Sequence, residues 1–112
     1  MPSQGQLAKS ITMIGEKIKE LREAKGLLQR EVAGILGVDT AYISKMESCE
    51  KPVSKSYLAK LALLFEVEEN ELLTLWLADK VYGLVKDHAH ALEAVQVAEM
   101  KIRKSENDVM NG

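Results

Sequence analysis

Apolar residues recur at helical spacing in the first part of this 112-residue chain. Ile11, Ile14, Ile18 and Leu21 are separated by three or four residues, so they share one face of a helix. Charged residues fill the opposite face, and Gly26 is well placed to end the helix. The pattern predicts a first amphipathic helix that buries its isoleucines.

Four shorter helices are expected to follow the first. The second runs from about Gln29 to Leu36, and the third begins after Asp39, a residue type that caps helix N-termini well. Ser54 is placed to cap a fourth helix, and a short fifth helix lies around Leu72. The spacing therefore predicts an all-α fold built on five helices.

The C-terminal segment carries a longer helical pattern without proline. From residue 77 to residue 102, spacings of four and three alternate, and seven of the eight positions are apolar. We predict that the large residues of this seam mediate dimerisation: Leu77, Val81, Leu84, Val95 and Ile102. Asp87 could cap a new helix, so the pattern fits either one rod or two helices meeting near Lys86. The seam needs a partner, either a second subunit or the chain's own N-terminal domain.

Charge is unevenly distributed along the chain, although the net charge is only −2. Residues 1–65 carry ten Lys and Arg against seven Asp and Glu, whereas residues 66–112 carry five against ten. The first part is therefore the one suited to a polyanion. No apolar run approaches the ~20 residues that span a bilayer, and the N-terminus lacks the apolar core of a signal peptide. With a single cysteine as well, we expect a cytoplasmic protein.

Residue patterns that support catalysis or metal binding are weak. His88 and His90 lie two residues apart, so on a helix they point to different faces and make a poor metal site. No nucleophile–base pair, glycine-rich phosphate loop or pair of catalytic carboxylates is recognisable. We expect neither an enzyme nor a cofactor.

The stretch "EVAGILGVDTAYISKMES", residues 31–48, ends one amphipathic helix at Gly37 and begins another almost at once. A turn of three or four residues requires a left-handed backbone, which glycine adopts at little cost. Ala33 is small enough for the following helix to cross close over the second one. The stretch predicts a helix-turn-helix, in which two helices at roughly 90–120° are joined by a tight turn.

The third helix is expected to present a smooth face outward. At about 100° per residue, Ile43 and Met46 face the core. The residues of the opposite face are short and, apart from the lysine, uncharged: Ala41, Ser44, Lys45 and Ser48, with Thr40 near the edge of the face. A face of this shape fits the major groove of B-DNA, which is ~12 Å wide.

These residues carry a family resemblance. "LLQREVAGILGVDTAYISKMES" resembles the helix-turn-helix of the Cro/C1-type (XRE) family of bacterial and phage regulators. The matching positions are Gln29, Ala33, Gly37, Val38, Ile43 and Ser44. "KIKELREAKGL" before it and "KPVSKSYLAKLALLFEV" after it also match, so the resemblance covers about residues 13–75. It implies a lambda-repressor-like domain that binds double-stranded DNA.

The resemblance also implies roles for individual residues. Gln29 stands where family members hydrogen-bond a DNA phosphate. Arg22 and Glu47 match a pair that forms a partly buried salt bridge between helices one and three. The positions that read bases in the family are occupied by Thr40, Ala41, Ser44 and Lys45.

Two positions depart from the family pattern. Leu28 stands where the family usually has Ser or Thr capping the second helix, which costs ~1 kcal/mol of stability. Cys49 stands where a glycine usually follows the recognition helix, so this cysteine must tolerate a strained turn, or the turn differs here.

Phosphate binding is expected to supply most of the affinity for DNA. Besides Gln29, the candidate groups cluster after the recognition helix and at the start of the fourth: Lys51, Ser54, Lys55 and Ser56. Because one helix-turn-helix reads only a few base pairs, we expect a homodimer on two half-sites ~34 Å apart.

The predicted domain organisation has four parts. Residues 1–10 form a disordered arm, residues 11–75 the DNA-binding domain, residues 76–104 a helical dimerisation extension, and residues 105–112 a disordered tail.

The predicted function is a homodimeric transcription regulator that binds an inverted-repeat operator, with repression and autoregulation as its mode of action. The segment "LLTLWLADKVYGLVKD" resembles small regulators that accompany restriction–modification genes. Two alternatives remain at this point: an antitoxin whose acidic C-terminal helix binds a toxin, and an adaptor that binds protein rather than DNA. A membrane partner or a small-molecule effector is not expected.

Overall fold

The computed structural model describes residues 12–111, with side chains to residue 109. This range is all-helical, as the sequence predicts, and contains no strand. The helices are α1 (Ile14–Ala24), α2 (Gln29–Leu36), α3 (Thr40–Glu47), α4 (Leu58–Phe65), α5 (Glu69–Val85) and α6 (Ala91–Asn111), with a 3₁₀ turn at Lys55–Tyr57. None of these helices is both long enough and apolar enough to cross a bilayer.

The chain divides into two compact units, one ending at Asp79 and the other beginning at Lys80. The first unit holds the hydrophobic core. Its completely buried side chains come from every helix from α1 to α5: Ile18, Val32, Ile43, Met46, Leu58, Leu61 and Leu72. The isoleucine face predicted for the first helix is therefore buried, except that Ile11 and the predicted arm of residues 1–10 lie outside the described residues.

A close helix crossing brings α1 onto α3. Gly15 is buried in the first turn of α1, and a β-carbon built there would collide with the backbone carbonyl oxygen of Met46. The missing side chain lets the two backbones approach. On the other side of the same helix start, the Ile14 N–H donates to Asp79 Oδ2 at 2.8 Å, so a residue from α5 caps α1.

Within residues 12–111, four residues with positive φ end helices or redirect the chain. Gly26 (φ 69°) and Gly37 (φ 73°) follow α1 and α2, as the sequence predicts. Glu66 (φ 58°) ends α4, and Cys49 (φ 66°) lies directly after α3. The cysteine has thus taken the left-handed conformation that glycine usually supplies at this point.

The C-terminal part differs from the sequence expectation in two respects. The fifth helix is not short, because α5 extends over 17 residues to Val85. Of the two alternatives left open for the seam, the structure has two helices, because residues 86–90 form a turn that contains His88 before α6 begins. Helix α6 continues through residues 105–111, which were expected to be disordered.

Candidate nucleic-acid interface

The turn between α2 and α3 has the predicted geometry. Gly37 takes the left-handed conformation, and the Val38 N–H returns to the carbonyl oxygen of Ala33 at 3.0 Å. Asp39 Oδ1 then accepts from the Tyr42 N–H at 2.8 Å and caps the start of α3. The glycine and the aspartate together allow the new helix to begin after only three intervening residues.

Helix α3 buries one face and exposes the other. Ile43 and Met46 are completely buried. The four residues expected to read bases all lie on the exposed side: Thr40, Ala41, Ser44 and Lys45. The exposed side is thus short-chained with one cation, as expected.

An ion pair joins α1 to α3. Arg22 Nε donates to Glu47 Oε2 at 2.7 Å, and its second guanidinium nitrogen donates to Glu47 Oε1 at 3.1 Å. Arg22 also donates to the carbonyl oxygen of Leu27 at 2.7 Å. Only 2% of the Glu47 side chain is exposed. The hydrogen bond to Glu47 raises the pKa of Arg22 above its ordinary value, so the guanidinium stays charged.

Gln29 belongs to the same network. Its Nε2 donates to Glu47 Oε1 at 3.0 Å, which brings α2 into contact with the residues that join α1 and α3. Sequence reasoning treated Gln29 as a phosphate ligand and the ion pair as a separate structural feature. Nothing in the local spacing signals that the glutamine amide and the glutamate meet.

Residues 49–56 follow α3. The N–H groups of Glu50 and Lys51 both donate to the Lys45 carbonyl oxygen, at 2.9 and 3.2 Å. Further along, Ser54 Oγ accepts from the Ser56 N–H at 3.4 Å and begins the 3₁₀ turn that leads into α4. The candidate phosphate ligands of this stretch are all exposed: Lys51, Ser54, Lys55 and Ser56.

Trp76 contacts the segment that follows α3, a role that was not predicted from the sequence. Its indole N–H donates to the Val53 carbonyl oxygen at 2.7 Å, and Lys55 Nζ lies 6.0 Å from the ring centroid. The residue type was the one indication of this hydrogen bond in the sequence, because the N–H of a partly buried tryptophan usually donates to an acceptor. Which acceptor it finds depends on the tertiary structure.

The two departures from the family pattern have local compensations. The Leu28 side chain cannot cap α2, but Glu31 Oε1 accepts from the Leu28 N–H at 3.0 Å. The Cys49 N–H donates to the Met46 carbonyl oxygen at 3.1 Å in the left-handed turn. Burial, with a further contribution from the Glu16 carboxylate, raises the pKa of the Cys49 thiol.

The predicted seam residues are exposed. Their exposed fractions range from 37% for Val95 to 75% for Leu84, and the others lie between these values: Leu77, Val81 and Ile102. Across the described part of the chain, no three His, Cys, Asp or Glu side chains are grouped so that they could hold a metal ion.

Comparison with known proteins identifies the family. The helix-turn-helix family matches residues 18–72, which span the network, the Gly37 turn and the core of the first unit. Residues 18–72 are a helix-turn-helix domain of the XRE type. Proteins of this family are DNA-binding transcription regulators rather than enzymes.

Relatives with this domain include proteins of different size. The propionyl-CoA carboxylase regulator of Cereibacter sphaeroides is 38% identical over 60 residues, which are 54% of this chain and only 13% of that protein. The restriction-modification controller protein C.AhdI from Aeromonas hydrophila is 37% identical, over 53% of this chain and 86% of that one, with a TM-score of 0.48. A chain of the SinR–SinI protein complex is 25% identical over 83% of this chain and 99% of its own, with a TM-score of 0.49.

Proposed function

We propose that this chain is a sequence-specific transcription regulator that binds an inverted-repeat operator in double-stranded DNA as a homodimer, in the cytoplasm. The observation that carries the proposal is the way α3 is held on the domain with one face exposed. The Gly37 turn and the Arg22–Glu47 pair fix this helix to the domain, while its short-chained face stays exposed.

In the proposed complex, α3 lies in the major groove. Lys45 is long enough to donate to guanine O6 and N7, and the methyl groups of Thr40 and Ala41 are suited to contact with a thymine methyl. Ser44 can donate to or accept from a base edge. The lack of bulky side chains on this face allows the helix backbone to approach the base edges closely.

The phosphate groups are contacted on either side of α3. On one side, Gln29 at the start of α2 has an oxygen and one further N–H besides the N–H that bonds Glu47. On the other side lie the two serines of the 3₁₀ turn, with Lys51 and Lys55. Because these groups neutralise or hydrogen-bond phosphates, they raise affinity for any duplex and orient α3 in the groove.

Dimerisation is supported by the exposed apolar residues of the C-terminal part. A helical domain does not usually leave large apolar side chains such as Leu84 of α5 and Ile102 of α6 at 75% and 59% exposure without a partner. A second copy of the chain supplies matching apolar faces. Two copies place two α3 helices on successive major grooves, and the occupied operator is closed to other proteins, which results in repression.

The decisive experiment is selection of binding sites from random duplex DNA with the purified protein at two salt concentrations. An enriched inverted repeat with half-sites about one helical turn apart is the expected result. If the protein binds duplex DNA without enriching any sequence, and if this binding disappears as the salt concentration rises, the binding is due to a basic surface and not to base recognition. Absence of binding would refute the proposal.

Two lysine variants separate base reading from phosphate binding on the selected operator. Lys45→Ala is expected to weaken binding to the operator more than to random DNA, because a lost base contact costs about 1–3 kcal/mol at its own position. Lys55→Ala is expected to weaken binding to both alike and to reduce the salt dependence by about one phosphate contact. Equal losses on both duplexes for Lys45→Ala would remove Lys45 from the base-reading set.

A further inference from the structure

Trp76 links the helix α5 to the chain that follows the recognition helix. The ring is partly buried against the core, and its N–H reaches the Val53 carbonyl oxygen at 2.7 Å across 23 residues of sequence. This is a short hydrogen bond between a rigid side chain and a backbone acceptor. The indole therefore fixes the position of the backbone at residue 53.

Residue 53 lies in the middle of the proposed phosphate-binding segment, residues 51–56. The Lys51 N–H attaches the start of the segment to the Lys45 carbonyl oxygen. Pro52 has no N–H to donate, and the Val53 side chain is 96% buried, so Val53 attaches the middle of the segment to the domain. The groups proposed to meet phosphates lie on either side of Val53: Lys51, Ser54, Lys55 and Ser56. A shift of the Val53 backbone would move the residues that follow it, Ser54 and Lys55, relative to α3.

The same ring also contacts one of the cations. Lys55 Nζ lies 6.0 Å from the ring centroid, where the negative face of an indole attracts an ammonium group. A lysine held over a ring loses less side-chain freedom on meeting a phosphate than a freely rotating one does. The ring therefore keeps the Lys55 ammonium beside the segment before DNA arrives.

We propose that Trp76 is a positioning residue for DNA binding: its N–H holds the backbone of residues 51–56, and its face holds the Lys55 ammonium until a phosphate replaces the ring as its partner. The inference rests on the proposed function of the segment. Trp76 belongs to α5 and lies outside the helix-turn-helix. In this proposal, it determines the arrangement of the phosphate-binding residues.

The first test compares Trp76→Phe with Tyr82→Phe on one duplex over a range of salt concentrations. Phenylalanine keeps an apolar ring but has no N–H, so the affinity is expected to fall about fivefold, the equivalent of one hydrogen bond. The dependence of log K on log salt is expected to flatten by about one phosphate contact. Tyr82, an exposed aromatic residue of the same helix, serves as the control and should bind as the unaltered protein does.

The salt dependence separates positioning from a general loss of stability. Partial unfolding lowers the apparent affinity by the same factor at every salt concentration, whereas a lost phosphate contact changes the slope. Unchanged affinity and slope in Trp76→Phe, or equal changes in both variants, would overturn the inference and leave the proposed function intact. If the unaltered protein binds no duplex, the proposed function fails, and this inference with it.

A second test uses the unaltered protein and does not depend on the folding of a tryptophan variant. Trp76 is the one tryptophan of the chain, so its emission reports on this ring alone. Titration with duplex is expected to change the emission, and Lys55→Met should remove most of that change. Binding with constant emission, or an equal change in Lys55→Met, would contradict the exchange of the Lys55 ammonium between ring and phosphate.

Discussion

Among single residues, Gly15 decides how closely α1 lies against α3. Among the described residues of the first unit, two glycines lie in helices, but their surroundings differ. A β-carbon at Gly15 meets the Met46 carbonyl oxygen, which is backbone and cannot move aside. A β-carbon at Gly34 in α2 meets nothing within 4 Å. The same substitution should therefore have opposite effects at the two positions.

Gly15→Ala is expected to lower the free energy of unfolding by about 2–3 kcal/mol, because the helices must separate to admit the methyl group. Gly34→Ala is expected to raise it by about 0.5–1 kcal/mol, because alanine loses less backbone entropy on entering a helix. Thermal and urea unfolding followed by circular dichroism measure both. A stabilising Gly15→Ala would show that α1 and α3 do not approach this closely.

Cys49 is a residue whose reactivity depends on its surroundings. Burial and then the Glu16 carboxylate raise the pKa of its thiol, so less thiolate is present at neutral pH than in a free cysteine. Alkylation by iodoacetamide should be slower than for a free cysteine at pH 7, and its rate should reach half-maximum at a pH above the ordinary thiol pKa.

Mass spectrometry of time courses between about pH 6 and 10 measures this profile, in a range that brackets the ordinary thiol pKa. Glu16→Gln should shift it toward lower pH, because the substitution removes one of the charges that disfavour the thiolate. Reaction as fast as that of a free cysteine at pH 7 would contradict the raised pKa of the Cys49 thiol.

At the level of helices, three elements are joined by one carboxylate. Glu47 of α3 accepts from Arg22 of α1 and from Gln29 of α2. The turn residue Gly37 sets the direction of α3, but the carboxylate network ties it to both preceding helices. We expect this arrangement to matter for DNA binding because the glutamine proposed to meet a phosphate is held by the recognition helix itself.

Glu47→Met is expected to lower the free energy of unfolding by about 3 kcal/mol, since it leaves the Arg22 guanidinium partly buried without its carboxylate. The double variant Arg22→Met, Glu47→Met should lose less than Glu47→Met alone, because no uncompensated charge remains. Urea unfolding of the two single variants and the double variant completes the cycle. A double loss equal to the sum of the single losses would show that the two residues do not interact.

In the whole molecule, the surface feature that the proposed DNA binding does not explain is a set of exposed apolar side chains. Leu63 on α4 is 83% exposed and Leu84 at the end of α5 is 75% exposed, but only Leu84 belongs to the predicted seam. The two leucines therefore form a matched pair for testing where copies of the chain meet.

Leu84→Asp is expected to weaken the homodimer by about 10- to 100-fold in Kd, corresponding to the ~1.5–3 kcal/mol gained when a leucine is buried. Leu63→Asp should leave the association unchanged. Sedimentation equilibrium over a range of protein concentrations measures both, and circular dichroism checks that each variant stays folded. Dissociation by Leu63→Asp but not by Leu84→Asp would place the interface on α4 and refute the seam.

Much of the first unit was predictable without coordinates. The buried face of α1, the bounds of α2, the cap at Asp39 and the left-handed turn at Gly37 all follow from spacing and residue type, because helix formation and helix ends are governed by neighbours within one or two turns. The absence of glycine at position 49 left either a strained turn or a different turn, and the structure has the left-handed one. The roles in DNA binding and dimerisation stay predictions.

Other features required the tertiary structure. Three contacts join residues far apart in sequence: the close approach of Gly15 to Met46, the hydrogen bond from Gln29 to Glu47 and the hydrogen bond from Trp76 to Val53. A local pattern records which faces are apolar, but it does not record which atoms meet when those faces pack. The break of the C-terminal seam at residues 86–90 was equally open, because the heptad pattern and the Asp87 cap favoured different structures at similar local cost.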